Sequence, residues 1–222
     1  MIERDYILRM FKLLGQALSR ILFFKETMQY DEALTEIDKA AKSILGLNME
    51  MIERIPLGGL RDIVGSDRAL LYSKLSSAGS LLREKGEIME LQGDEEGSVN
   101  SYLKALSLFM EEQLPFNDLD DGTPARAAEF VIGRLRNYEI PISLRKNLAT
   151  YYEKRGQYDK LEDVIFEIVD EDGEFIQSGI STYERLLEKS DAELAAGHLP
   201  RNEVEDGLAE LRGKLGEKGD GA

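Results

Sequence analysis

GSLLREKGEIMELQGDEEGSVNSYLKALSLFMEE, residues 79–112, decides how the rest of the chain is read. Two helical segments meet at Gly93-Asp94, where a helix-ending glycine is followed by a residue suited to start the next helix. Leu82, Gly86 and Met89 lie on one face of the first segment, and Tyr102, Ala105 and Leu106 on one face of the second. The small residues Gly86 and Ala105 let two antiparallel helices approach closely, and Tyr102 fills the space beside them. A glycine inside a helix costs about 1 kcal/mol relative to alanine, so Gly79 and Gly86 need a neighbour close enough to offset that loss. The stretch therefore specifies a helical hairpin, and by itself no chemistry.

Other segments repeat the theme. Residues 2–25 have apolar residues at three-and-four spacing, from Ile2 and Tyr6 through Met10, Leu14 and Ala17 to Ile21. Phe11, Phe23 and Phe24 widen the apolar surface beyond one stripe, which predicts a terminal helix buried on two sides. The competing reading is a membrane-surface or partner helix, with Arg9, Lys12 and Arg20 on its polar side. A second helix is expected over 31–46 with Gly46 as its cap. A short one is expected over 48–55, stopped by Pro56, followed by a Gly58-Gly59 turn and a helical run over 60–64. Ser66 is the expected N-cap of a long helix reaching Leu91. Residues 115–124 read as a loop, with Thr123-Pro124 opening a helix to about 138. Pro141 opens another, to about 155; Gly156 turns the chain into 158–171. A helix over 173–196, ended by Gly197-His198, and a final leucine-striped helix complete the pattern, with a tail expected from Gly216.

The turns recur. Sixty-five residues separate Met28 from Gly93, and 63 separate Gly93 from Gly156; both intervals are close to twice a repeat of about 34 residues. The stretch at 79–112, with looser units near 14–46 and 142–171, resembles the tetratricopeptide repeat. The opening Met1–Met10 and the closing Leu199–Leu211 also resemble an uncharacterised bacterial family of helical proteins, which has no activity to transfer. The resemblance implies an all-α fold, a tetratricopeptide-like α-α superhelix in one domain over 1–215, with capping helices at 174–215. It further implies a protein or peptide partner in a groove lined by the first helix of each unit. The groove positions would be Arg83, Glu87, Glu90 and Leu91 in the central unit, and Lys146, Thr150 and Glu153 in the third. Repeats that clamp a terminal carboxylate carry Lys and Asn at the positions held here by Arg83 and Glu87; Glu87 argues against that clamp.

Composition limits the chemistry. The 222 residues include 43 acids against 28 bases, a formal net charge of −15, no cysteine, no tryptophan and one histidine. Such a surface repels nucleic acid, and no nucleic-acid partner is expected. Without cysteine there is no disulfide and no thiolate nucleophile or ligand. His198 sits at a helix end, where a cation is favoured by the helix dipole, and a zinc site needs more nitrogen or sulfur ligands than it supplies. The acidic loops at Asp118–Asp121 and Asp170–Asp172 fail the calcium-loop spacing, and Leu57-Gly58-Gly59-Leu60 lacks the residues of a phosphate loop. No apolar run spans a bilayer and no secretory signal is visible. The expectation is a non-enzymatic cytoplasmic interaction module without cofactor, able to form a homodimer through its last helix. The alternatives are a carboxylate-lined ligand, metal or enzyme site, and attachment to a membrane surface through residues 2–25.

Overall fold

Among the described residues, four backbone turns share one geometry. Met28, Gly93, Gly156 and His198 all have left-handed φ, at 57°, 79°, 67° and 60°. In each, the amide of the turn residue donates to the carbonyl three residues back, and the next amide donates to the carbonyl five residues back. The pairs are Met28 to Lys25 and Gln29 to Phe24, Gly93 to Glu90 and Asp94 to Met89, Gly156 to Glu153 and Gln157 to Tyr152, and His198 to Ala195 and Leu199 to Leu194, all at 2.8–3.2 Å. This double bond pattern satisfies the last carbonyls of the preceding helix and reverses the chain. Glycine adopts it without strain; Met28 and His198 adopt it against a side-chain penalty of about 1 kcal/mol.

The computed structural model describes residues 2–65, 67–110 and 123–219, all in helices and short connections, with no strand among the described residues. The expected N-cap Ser66 and nearly all of the expected loop at 115–124 lie outside them. By its internal contacts the chain divides into two compact units, Met1–Glu139 and Ile140–Ala222.

The first unit contains α1 (Ile2–Glu26), α2 (Tyr30–Leu45), α3 (Met49–Arg54), α4 (Leu57–Val64), α5 (Arg68–Gln92), α6 (Glu95–Phe109) and α7 (Thr123–Arg134). α5 lies at its centre, packed against α1, α2, α4, α6 and α7. That position explains its composition. Leu71, Tyr72, Leu75, Ala78, Leu81, Leu82 and Ile88 are buried around much of its circumference, and so are Ser73, Ser76 and Ser77. Two of these serines bond back along their own helix, Ser77 Oγ to the Ser73 carbonyl at 2.7 Å and Ser73 Oγ to that of Ala69 at 2.8 Å, which removes the cost of an unmet hydroxyl there. The glycines do what their spacing implies. A Cβ on Gly86 would lie 2.6 Å from the Tyr102 ring, and one on Gly79 2.7 Å from that of Phe109, so α6 seats two aromatic rings on bare backbone of α5.

Asp67, next to Ser66, provides the side-chain cap of α5 by accepting from the Leu70 amide at 2.9 Å. Gly58 and Gly59 lie inside α4 and form no loop: Pro56 precedes the helix with extended backbone, and the helix starts at Leu57. α1 buries one stripe only, Met10, Leu14, Ala17 and Ile21, against α2 and α5. Leu8, Leu22 and Phe23 are more than half exposed, so burial on two sides is not what the helix shows.

The second unit contains α8 (Ile142–Arg155), α9 (Tyr158–Glu171), a 3-10 turn at Gly173–Phe175, α10 (Ile176–Leu187), α11 (Asp191–Ala196) and α12 (Arg201–Gly219). α8 pairs with α9, and α10 with α12. The single helix expected over 173–196 is instead broken after Leu187, because Ser190 starts a new one. Its hydroxyl accepts from the Glu193 amide while the Glu193 carboxylate accepts from the Ser190 amide, a capping box that the Ser-Asp-Ala-Glu pattern announces. α12 buries Val204, Leu208 and Leu211 and extends helix to Gly219, past the Gly216 expected to begin a tail. A Cβ on Gly207 would lie 2.5 Å from the Tyr183 ring, so α12 crosses α10 by the same device as α6 crosses α5.

Candidate functional site

The expected groove residues of the first unit are taken up by the unit itself. Lys25, at the end of α1, places its ammonium 2.5 Å from Glu84 and 2.9 Å from Glu87, and only 10% of its side chain is exposed. Burial alone would lower the lysine pKa; the hydrogen bonds that Lys25 donates to the Glu84 and Glu87 carboxylates outweigh it and leave the value raised. Arg83 pairs with Glu84, lies 3.9 Å from Glu87 and has its guanidinium 5.3 Å from the Phe130 ring centre; its Nε is buried with no hydrogen-bond partner. Glu90 accepts from the Tyr102 hydroxyl at 3.0 Å and from Arg134 of α7 at 3.1 Å. Tyr102 is consequently hard to ionise, through burial first and the Glu90 carboxylate second. Leu91 is exposed. Three of the four positions thus tie α5 to its neighbours.

The second unit is different. Lys146 reaches Asp172 at 2.8 Å and stands over the Phe175 ring at 5.3 Å, which fastens α8 to the 3-10 turn. Thr150 and Glu153, one turn apart farther along α8, line an open cleft of about 560 Å³. Lys154, Arg155 and Gly156 at the end of α8, Tyr158 at the start of α9, and Lys189 between α10 and α11 complete it. Glu153 is held by both arms of Arg185, from Nε at 2.8 Å and Nη2 at 2.7 Å. That carboxylate raises the Arg185 pKa against the effect of burial. The pair fixes α8 to α10 and cancels the acid's charge. The α9 amides at the floor are already used: Tyr158 and Asp159 both donate to the Gly197 carbonyl, at 3.0 and 3.1 Å.

The cleft wall is cationic. Arg145, Lys146, Arg185, Arg201, Arg212 and Lys214 of this unit are each paired with a carboxylate. Lys154, Arg155 and Lys189 form no ion pair among the described residues, though Arg155 lies 5.9 Å from the Tyr151 ring centre, Lys189 lies 5.8 Å from that of Tyr158, and Lys189 helps to hold the Glu193 carboxylate ionised through space. None of the three stood out in the sequence. Lys154-Arg155 reads as an ordinary basic last turn before a capping glycine, and nothing in the spacing of Lys189 says that the α10–α11 break brings it beside them.

Among the described residues no three of His, Asp and Glu are grouped to hold a metal ion, and no helix is long and apolar enough to cross a membrane. Glu162 accepts the Tyr183 hydroxyl at 2.8 Å. Burial, then the nearby Glu203, Asp163 and Glu210, raise its pKa in spite of that bond. His198 is exposed and serves the backbone turn already described.

Helix packing and turn geometry define an all-helical protein of packed neighbouring helices. The chain belongs to a family of unknown function (DUF6483), whose family model matches residues 1–216. No curated protein and no solved structure matches it.

Proposed function

We propose that the protein is a non-enzymatic helical-repeat module of the tetratricopeptide type, which binds a protein or peptide through its second unit. The observation that carries this reading is the open cleft at the end of α8, where Thr150 and Glu153, groove positions on the sequence pattern, stand beside unpaired basic side chains. The recurrence of one turn geometry at Met28, Gly93, Gly156 and His198 supports the repeat assignment. The partner replaces water in the cleft and meets cations that have no carboxylate of their own. A photo-crosslinking residue at Thr150 tests it in cells that express the protein. A discrete protein should be trapped there, competed away by excess unlabelled protein, and absent when the crosslinker stands at Glu184. A trap equal at both positions, or none at Thr150, removes the reading. Stabilisation by a metabolite or divalent ion in a thermal-shift screen, lost on Glu153→Gln, would favour a small-ligand or enzyme site instead.

A second reading rests on α1. Leu8, Leu22 and Phe23 are exposed on a helix that also presents Arg9 and Lys12, a combination suited to an anionic lipid surface. Co-sedimentation with phosphatidylserine vesicles, abolished by Leu8→Glu with Leu22→Glu while thermal stability holds, would establish it; equal sedimentation of both forms would dismiss it.

A further inference from the structure

We infer that the α8 cleft is an anion site, and that the segment it takes is an acidic stretch of a protein partner, seated by its carboxylates between Lys154, Arg155 and Lys189. This rests on the proposed interaction role and names the chemistry of the partner. The argument begins with supply. In a chain of 43 acids and 28 bases, carboxylates are plentiful, and six basic residues of the second unit have one. Three others, Lys154, Arg155 and Lys189, form no ion pair among the described residues, with Glu193 acting on Lys189 only through space, and they converge from two separate places in the sequence on one cleft of about 560 Å³. Its single acid, Glu153, is neutralised by the two-pronged bond from Arg185. The local field is therefore positive on a molecule of net charge −15. An acidic partner is repelled elsewhere and drawn here, so charge sets both place and partner. Open cleft walls without a deep apolar pocket fit an extended chain better than a small molecule enclosed on all sides.

The competing account is local: Lys154 and Arg155 offset the negative end of the α8 dipole. Lys189 is not on α8 but follows the end of α10 by two residues, so the dipole account extends to it only as a separate effect at a second helix end and does not explain why the three meet in one cleft.

The test uses fluorescence anisotropy of a fluorescein-labelled hexaglutamate peptide with the full chain at low salt. Lys154→Glu with Arg155→Glu, and separately Lys189→Glu, should each weaken binding at least about tenfold, as loss of a charge contact in a site does. Arg212→Glu with Lys214→Glu changes net charge as much as the first pair, outside the cleft, and should leave affinity within about twofold. Circular dichroism melting shows whether each variant folds. No binding to the peptide overturns the proposal. So does equal weakening by the Arg212 and Lys214 control, or a lower melting point without weaker binding, which is the signature of the dipole account. Inorganic phosphate that saturates the site and displaces the peptide at submillimolar concentration would reassign it to a small phosphoanion. If Thr150 crosslinks trap a partner and the Lys154 and Arg155 variant traps it equally, the module stands and the acidic assignment falls. Peptide binding without any trapped protein would spare the site and remove the module.

Discussion

α5–α6 and α8–α9 are built from the same parts and treat their charged faces in opposite ways. Both pairs turn on a left-handed glycine, Gly93 or Gly156, with the same two backbone bonds. Each first helix carries basic and acidic groups near its C-terminal end. Around α5 those groups are paired: α1 supplies the buried Lys25 to Glu84 and Glu87, and α7 supplies Arg134 to Glu90 in a half-exposed pair. At the end of α8, Lys154 and Arg155 face open space. A repeat face becomes scaffold where neighbouring helices complete its charges and remains available where they do not. The residue types on the two faces are alike; the neighbours decide.

The largest effect that could break this contrast is on stability. Among the described residues, Lys25→Met leaves Glu87 with the distant Arg83 contact and the buried Glu84 with Arg83 as their ion-pair partners. Loss of one member of a buried charged cluster costs roughly 2–4 kcal/mol, read as a lower midpoint in urea unfolding. Lys154→Met, the counterpart on the open face, should stay within about 0.5 kcal/mol of the parent. Because the Lys25 pKa is raised in the folded protein, its contribution is complete below the ordinary lysine range near about 10.4 and fades only as pH climbs through the raised value. The deficit of the variant should thus be constant across neutral pH and shrink in strong alkali. A Lys25→Met protein as stable as the parent would show that the paired face is not a scaffold.

The same contrast explains what could be read from the sequence. The hairpins were legible because their causes are local: glycines at 46, 93 and 156, Pro56 and Pro141, and small residues a helical turn from aromatic ones. The 142–171 unit coincides with α8 and α9. The break after Leu187 was legible too, through Ser190 and Glu193, but the continuous apolar spacing from Ile176 to Leu194 masked it. Spacing placed Arg83, Glu87 and Glu90 on one face of α5, yet it carried no information about Lys25, 59 residues before Glu84, or about Arg134, 44 residues after Glu90. Charge completion is a tertiary property. For the same reason Lys189 could not be assigned to a cleft with Lys154.

The turns offer a smaller effect that sharpens the comparison. Gly93 and Gly156 adopt left-handed backbone freely, whereas Met28 and His198 hold the same shape with a side chain. Met28→Gly and His198→Gly should each stabilise their helix junction by about 0.5–1 kcal/mol, the left-handed penalty less the added freedom of the unfolded glycine. Gly93→Ala, with no neighbour within 4 Å of its Cβ, isolates the backbone term and should lose about 1 kcal/mol. Thermal unfolding of the three variants gives the test. A gain at Met28 with no loss at Gly93 would mean that the Met28 side chain, and not its backbone, is the source of strain.

The smallest effect lies in the second unit, where an acid is held under unfavourable conditions. Glu162 is pushed up by burial and by Glu203, Asp163 and Glu210, although it accepts the Tyr183 hydroxyl. A carboxylate with a raised folded pKa favours the native state below the unfolded value near about 4.3 and loses that contribution as pH rises through the folded value. Glu162→Gln keeps an oxygen for Tyr183 and removes the charge, so it should be the more stable protein at neutral pH, by a few tenths of a kcal/mol once solvent screening is allowed for. The advantage should disappear on acidification, where the parent carboxyl is itself neutral. Urea midpoints for the two proteins at pH 7 and pH 3.5 decide the matter. An advantage that persists at pH 3.5 would assign the effect to packing of the amide against Tyr183, and a deficit at pH 7 would show that the Tyr183 hydrogen bond to a charged oxygen outweighs the surrounding acids.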